Sequence, residues 1–89
     1  TMQLSEITGK EIMLRKKQFI GPHPHHDVAA TVEQVGQHQV KCRLNDGTIY
    51  IPRKYFERAD LATGIVQLPT WFTIVSRELI DKLLKESRQ

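Results

Sequence analysis

Between Val28 and Pro52 the chain alternates apolar and polar residues in three runs, and the triplet Asn45-Asp46-Gly47 separates the last two. Asp-Gly is a preferred centre of a two-residue hairpin, and period-two alternation marks strands buried on one face. Together they commit residues 28–52 to a tight antiparallel meander. Val28, Ala30 and Val32 belong to its first strand, Val35-Gly36-Gln37 to the reversal, Val40, Cys42 and Leu44 to the second strand, and Thr48 to Pro52 to the third. With Asp46-Gly47 as the loop, Leu44 sits opposite Ile49 and Cys42 opposite Ile51. Val40, Cys42, Leu44, Ile49 and Ile51 then share a core face. A three-residue loop would set Ile49 and Ile51 beside Arg43 and Lys41 and turn one apolar set outward, so it is rejected.

That register leaves Lys41 and Arg43 on the solvent face, with Tyr50 opposite Arg43, and Arg53, Lys54 and Tyr55 follow directly. Cations for phosphates and rings on which bases stack are the elements of single-strand binding. The competing reading is a solvated sheet face whose long side chains cover apolar neighbours. The net charge of +3 does not decide between them. Residues 1–27 hold four basic and three acidic groups, residues 28–60 five and four, and residues 61–89 four and three. There is no basic tail, so any basic face must be gathered by folding.

The flanks are read from local signals. Thr8 and Glu11 stand at capping-box spacing ahead of Ile12, Met13 and Leu14, which suits a helix whose faces pair Ile12 with Phe19 and Met13 with Ile20. A strand from Glu11 to Leu14 is the alternative. Gly21, Pro22 and Pro24 make Gly21 to Asp27 a loop. After Pro52, Arg53 to Arg58 suit a short helical turn, Ile65 to Leu68 a strand, and Trp71 to Val75 either a last strand or an aromatic cover. Ser76 is a good N-cap, and Leu79, Ile80, Leu83 and Leu84 fall on one face of a helix from Arg77 to about Glu86 that should pack on the sheet. Glu78 with Lys82 and Asp81 with Lys85 have the spacing of stabilising pairs. An apolar helix face wider than the sheet can cover would promote a homodimer.

The string ATVEQVGQHQVKCRLNDGTIYIPRK, residues 30–54, resembles the first three strands of small barrels of the OB type, including S1-like domains, and SH3-like and Tudor-like barrels share the pattern. The resemblance implies a barrel, and it implies single-strand contacts on the outer face of the second and third strands, at Lys41, Arg43 and Tyr50. Pro52-Arg53-Lys54 replaces the usual Gly-Lys after the third strand, and both the 27-residue lead and the C-terminal helix are additions.

Other constellations carry less chemistry. His23, His25, His26 and Asp27 crowd one loop, yet adjacent histidines diverge in an extended chain and no spaced cysteine pair completes a zinc set, so a polar loop is expected and no metal or other cofactor. Clustered imidazoles would at most confer pH sensitivity. His38 and Cys42 lie four strand residues apart, roughly 13 Å, which excludes a nucleophile and base pair. Cys42 is expected to pack as a small apolar group. Trp71, Phe72, Tyr50, Tyr55 and Phe56 suit burial better than a cation cage. No phosphate loop, zinc-protease helix or carboxylate pair is visible.

The chain therefore reads as one α+β, mainly β domain: a lead with a His/Pro loop over residues 1–27, a small barrel-like antiparallel sheet of four or five strands over 28–75, and a C-terminal helix over 76–89, with an N-terminal helix as an option. No apolar run is long enough to span a membrane, the single cysteine fits a reducing compartment, and Met2 suits a natural start with Thr1 a cloning remnant, so a cytoplasmic location is expected. The expected function is non-enzymatic binding: of nucleic acid through Lys41, Arg43, Tyr50, Arg53, Lys54 and Tyr55, or of a partner protein through a sheet edge, the aromatic patch near Trp71 or the histidine loop.

Overall fold

The computed structural model describes residues 3–17, 21–22 and 25–87. A 3₁₀ turn at Leu4–Ile7 leads into β1 (Glu11–Lys17), β2 (His25–Val35), β3 (Gln39–Leu44), β4 (Gly47–Pro52), α1 (Arg53–Glu57), β5 (Ile65–Leu68) and α2 (Arg77–Ser87). The five strands form one mixed sheet in the order β4-β3-β2-β1-β5. The first four strands make an antiparallel meander, and β5 joins the far side of β1 in parallel. The chain is thus mainly β, with a C-terminal helix, as the alternation indicates.

The expected barrel does not close. No pairing joins β4 to β5 among the described residues, so both are edges of an open sheet. The crossover from β4 to β5 runs over the core face and plants Tyr55 and Phe56 there, with Phe56 fully buried. That face carries Ile12, Leu14, Ala30, Val32, Val40, Cys42, Leu44, Ile49, Ile51, Val66 and Leu68, and Ile7 covers it from the N-terminal turn. Alternate strand residues point to opposite faces, which is why the even positions of β1 and β2 share the core.

Of the two readings of the segment after Thr8, the strand holds and the helix does not. Ile12 and Leu14 are buried on the core face, while Met13 lies on the other. Pairing on both sides, to β2 and to β5, outweighs the local capping signal, because propensity yields to tertiary burial. Thr8 closes the preceding turn, its hydroxyl donating to Ser5 O at 3.4 Å. Phe19 and Ile20 lie outside the described residues.

β2 also starts earlier than the prolines indicate. His25, His26 and Asp27 pair with Lys17, Lys16 and Arg15, so the loop expected up to Asp27 stops short of His25. His23 and Pro24 lie outside the described residues.

A bulge at Glu33 shifts the register within β2. Val32 pairs with Cys42, but Gln34 pairs with Lys41 and Val35 with Val40. The extra residue brings Glu33 and Gln34 to the outer face and lets Val35 return to the core side despite its odd number.

The β3–β4 hairpin differs by two residues from the expected register. Its loop is Asn45-Asp46, Leu44 pairs with Gly47, Cys42 with Ile49 and Val40 with Ile51. A two-residue slip preserves parity, so the core face is the expected one. It moves Tyr50 from Arg43 to Lys41. Asn45 and Asp46 keep negative φ, and Gly47 takes the positive one, 135°. The turn puts glycine where a left-handed backbone is needed, one place later than a type I′ Asp-Gly centre would.

Candidate functional site

Two surfaces stand apart from the core. The first is the outer sheet face. Lys41 and Arg43 both reach Glu33, at 3.6 Å and 2.6 Å. The bulge that brings Glu33 outward therefore pairs the two cations that the sequence assigns to phosphates. Arg15 makes a two-point contact with Asp27 on the same face, at 3.0 and 3.1 Å, and this hydrogen bonding holds the Asp27 carboxyl below the usual carboxylate range. Tyr50 is 42 % exposed. It borders a shallow depression of about 140 Å³ with Gln34, Gly36, Gln39 and Lys41.

The remaining residues assigned to nucleic acid lie on α1, the start of the crossover that follows β4. Arg53 holds the crossover to the β2–β3 turn: its backbone N–H donates to His38 O, its Nη1 to Gly36 O and its Nε to Glu57 Oε1, each at 3.0 Å. Tyr55 is 8 % exposed and meets Phe72 edge to face, with ring centres 6.3 Å apart, so its ring is filled by the core and offers no platform for a base. Lys54 lies 5.3 Å from the Tyr55 ring centre. Of the six residues singled out, the structure gathers Lys41, Arg43 and Tyr50, sets Arg53 against Gly36 at the border of their depression with its guanidinium engaged by Gly36 and Glu57, and takes Tyr55 into the core.

The second surface is the C-terminal segment. No strand forms over residues 71–75. Phe72 and Ile74 pack against the core, while Trp71 is 73 % exposed. Ser76 is fully buried and caps α2: its hydroxyl accepts from Leu79 N at 3.1 Å and donates to Asp46 O at 2.7 Å. The Glu78 carboxylate accepts from Thr48 N at 2.8 Å, and this backbone hydrogen bond, the largest cause, holds Glu78 below the usual carboxylate range. It also occupies an outward N–H of the edge strand β4. Glu78 thus serves the hairpin, although its spacing suggests a pair with Lys82.

Beyond that first turn the expected packing of α2 on the sheet fails. None of its residues is buried, and Ile80, Leu83 and Leu84 are 44, 54 and 53 % exposed. The sequence shows the amphipathic stripe but not its orientation, which follows from tying Ser76 and Glu78 to the edge of β4 rather than to the core face.

Cys42 and His38 do not meet, since Cys42 is buried and His38 is exposed. Burial, with the Glu33 charge second, pushes the Cys42 thiol up to about 12. A thiol so shielded is a poor nucleophile at neutral pH. No helix among the described residues is long and apolar enough to cross a membrane. No protein-family model, curated protein or solved structure matches the chain.

Proposed function

We propose that this chain is a small non-enzymatic binding module that presents α2 to a groove on a partner protein. The open apolar face of α2 carries the reading. A helix with one apolar stripe is stable when that stripe is covered, and here the described residues leave Ile80, Leu83 and Leu84 about half exposed. The charges on α2 balance, with Arg77, Lys82 and Lys85 against Glu78, Asp81 and Glu86. Such a helix has no net attraction for phosphates or anionic lipid, and it suits a helix-in-groove contact with protein. The shielded Cys42 thiol and its separation from His38 support a binding role over a catalytic one.

The test compares the wild type with Ile80→Asp, Leu83→Asp. Because neither side chain is buried, the double variant should keep its melting temperature while losing a protein captured by the wild type from nuclease-treated extract. Equal capture by both proteins would overturn the reading. Sedimentation of the pure protein identifies a second copy as the partner if a dimer forms and the double variant is monomeric.

A second reading keeps the outer sheet face for single-stranded nucleic acid, as the resemblance of residues 30–54 to OB-type barrels implies. It is favoured by Tyr50, exposed beside Lys41 and the carboxamides of Gln34 and Gln39. Lys41→Glu with Arg43→Glu should abolish a salt-sensitive shift of labelled oligonucleotides, and unchanged binding would remove this reading.

A further inference from the structure

The two edges of the open sheet are guarded in the same way, but only one guard can leave. Along an edge strand every second residue turns its N–H and C=O away from the sheet. In β5, Gly64 O accepts from Met13 N, which sets Ile65 and Gln67 outward. Ile65 N donates to Thr63 Oγ1 at 3.3 Å, and Pro69 follows the strand without an N–H. In β4, Arg53 N continues the ladder by donating to His38 O, which sets Thr48, Tyr50 and Pro52 outward. Thr48 N donates to Glu78 Oε2 at 2.8 Å, and Pro52 has no N–H to offer. Among the described residues each edge thus leaves one outward N–H without an acceptor, at Gln67 and at Tyr50.

The guards differ in origin. Thr63 belongs to the turn that opens β5, whereas Glu78 lies on α2, 30 residues beyond Thr48. Two hydrogen bonds tie the root of α2 to the hairpin, Ser76 Oγ to Asp46 O and Thr48 N to Glu78, and no residue of α2 is buried. β4 itself, Gly-Thr-Ile-Tyr-Ile-Pro, carries no charge to hold copies apart, and its β-branched and aromatic residues favour pairing. Its outward groups are also self-complementary. A two-fold axis through Ile49 sets Thr48 opposite Tyr50 of a second copy, which matches every outward N–H and C=O of those two residues. Pro52 then falls opposite Asp46 of the other copy, in the loop, where its missing N–H has no effect on the ladder. We propose that the root of α2 is an autoinhibitory guard on β4, and that its release lets β4 pair antiparallel with β4 of a second copy. The device is independent of what the apolar stripe of α2 binds.

The test uses the full chain carrying Ile80→Asp and Leu83→Asp, so that the stripe itself cannot join two copies and a failure of the groove reading leaves this one untouched. That parent should sediment as a monomer up to about 1 mM. Glu78→Ala, which removes an exposed side chain, and Glu78→Ala with Ser76→Ala, which cuts both ties, should dimerise with a Kd of about 100 μM or below. Hydrogen-exchange protection at the Thr48 and Tyr50 amides should then rise with protein concentration. Glu78→Gln keeps an acceptor for Thr48 and should stay monomeric. Adding Tyr50→Pro to Glu78→Ala removes an outward donor where an edge strand tolerates proline, and should restore the monomer. If the double release melts too low to measure, Glu78→Ala alone decides. Released variants that remain monomeric at about 1 mM would overturn the proposal. A dimer that survives Tyr50→Pro would do the same, because it would use another surface.

Discussion

The Ser76 hydroxyl joins two elements at once, capping α2 through Leu79 N and holding the carbonyl of Asp46 at 2.7 Å. Removing it leaves a helix N–H and a loop carbonyl without their partner. Ser76→Ala should therefore cost about 1–3 kcal/mol, the range of a lost N-cap plus a lost buried hydrogen bond. Urea melts would show a lower midpoint with little change in slope, and Ser76→Thr, which keeps the hydroxyl, should recover most of the loss. A midpoint that does not move in the alanine variant would show that the cap is dispensable.

Gly47 is constrained twice. Its φ of 135° disfavours any side chain, and a Cβ there would run into the Glu78 carboxylate and come within 3.0 Å of Ser76 Cβ. Gly47→Ala should destabilise by about 1–3 kcal/mol and displace the first turn of α2 as well. Loss of the Thr48 amide shift that reports its bond to Glu78 would separate this double effect from simple strain in the hairpin.

Acid should release α2 before it unfolds the sheet. The folded-state pKa of Glu78 is lowered by its bond from Thr48, so the stabilisation is present above the ordinary glutamate range and is lost as pH falls through the lowered value. Asp27 follows the same sign through its bond with Arg15. Amide spectra recorded down the acid limb should show Thr48 shifting in this range. Glu78→Gln should remove that step and leave the one at Asp27. A Thr48 amide with no acid titration would count against the clamp.

Cys42 should resist alkylation in the folded protein. Its thiol is pushed up to about 12, against an ordinary value of ~8.5, so the neutral form is favoured in the fold. The sign follows from linkage: stability is unaffected below the ordinary thiol range and falls as pH rises through it towards the folded value. Iodoacetamide at neutral pH should modify the native chain far more slowly than the chain in urea, and fast native labelling would show that the β3 strand opens.

The meander was legible because alternation in Val40, Cys42, Leu44, Ile49 and Ile51 allows only one parity, and burial enforces it. The exact pairing was not, since shifts of two residues keep every side chain on its face and the sequence holds two adjacent turn dipeptides, Asn-Asp and Asp-Gly. The sequence left β1 open between helix and strand, because the contacts that stabilise the strand come from β2 and β5, distant in sequence, whereas the capping signal at Thr8 is local. Tyr55 looked like a stacking ring only because nothing in the string reveals Phe72 packed on its edge. The neutralising role of Glu33 was hidden for a related reason. It depends on a bulge, which leaves only a faint trace: the change of apolar parity from Val32 to Val35.

That bulge makes the outer face adjustable by the loss of one residue. Without Glu33, Val32, Gln34 and Val35 would run in unbroken alternation against Cys42, Lys41 and Val40, so the apolar interior would keep its partners. Lys41 and Arg43 would then lose the carboxylate they share. A deletion of one codon could thus change a nearly neutral sheet face into a cationic one while the layer beneath it stayed intact.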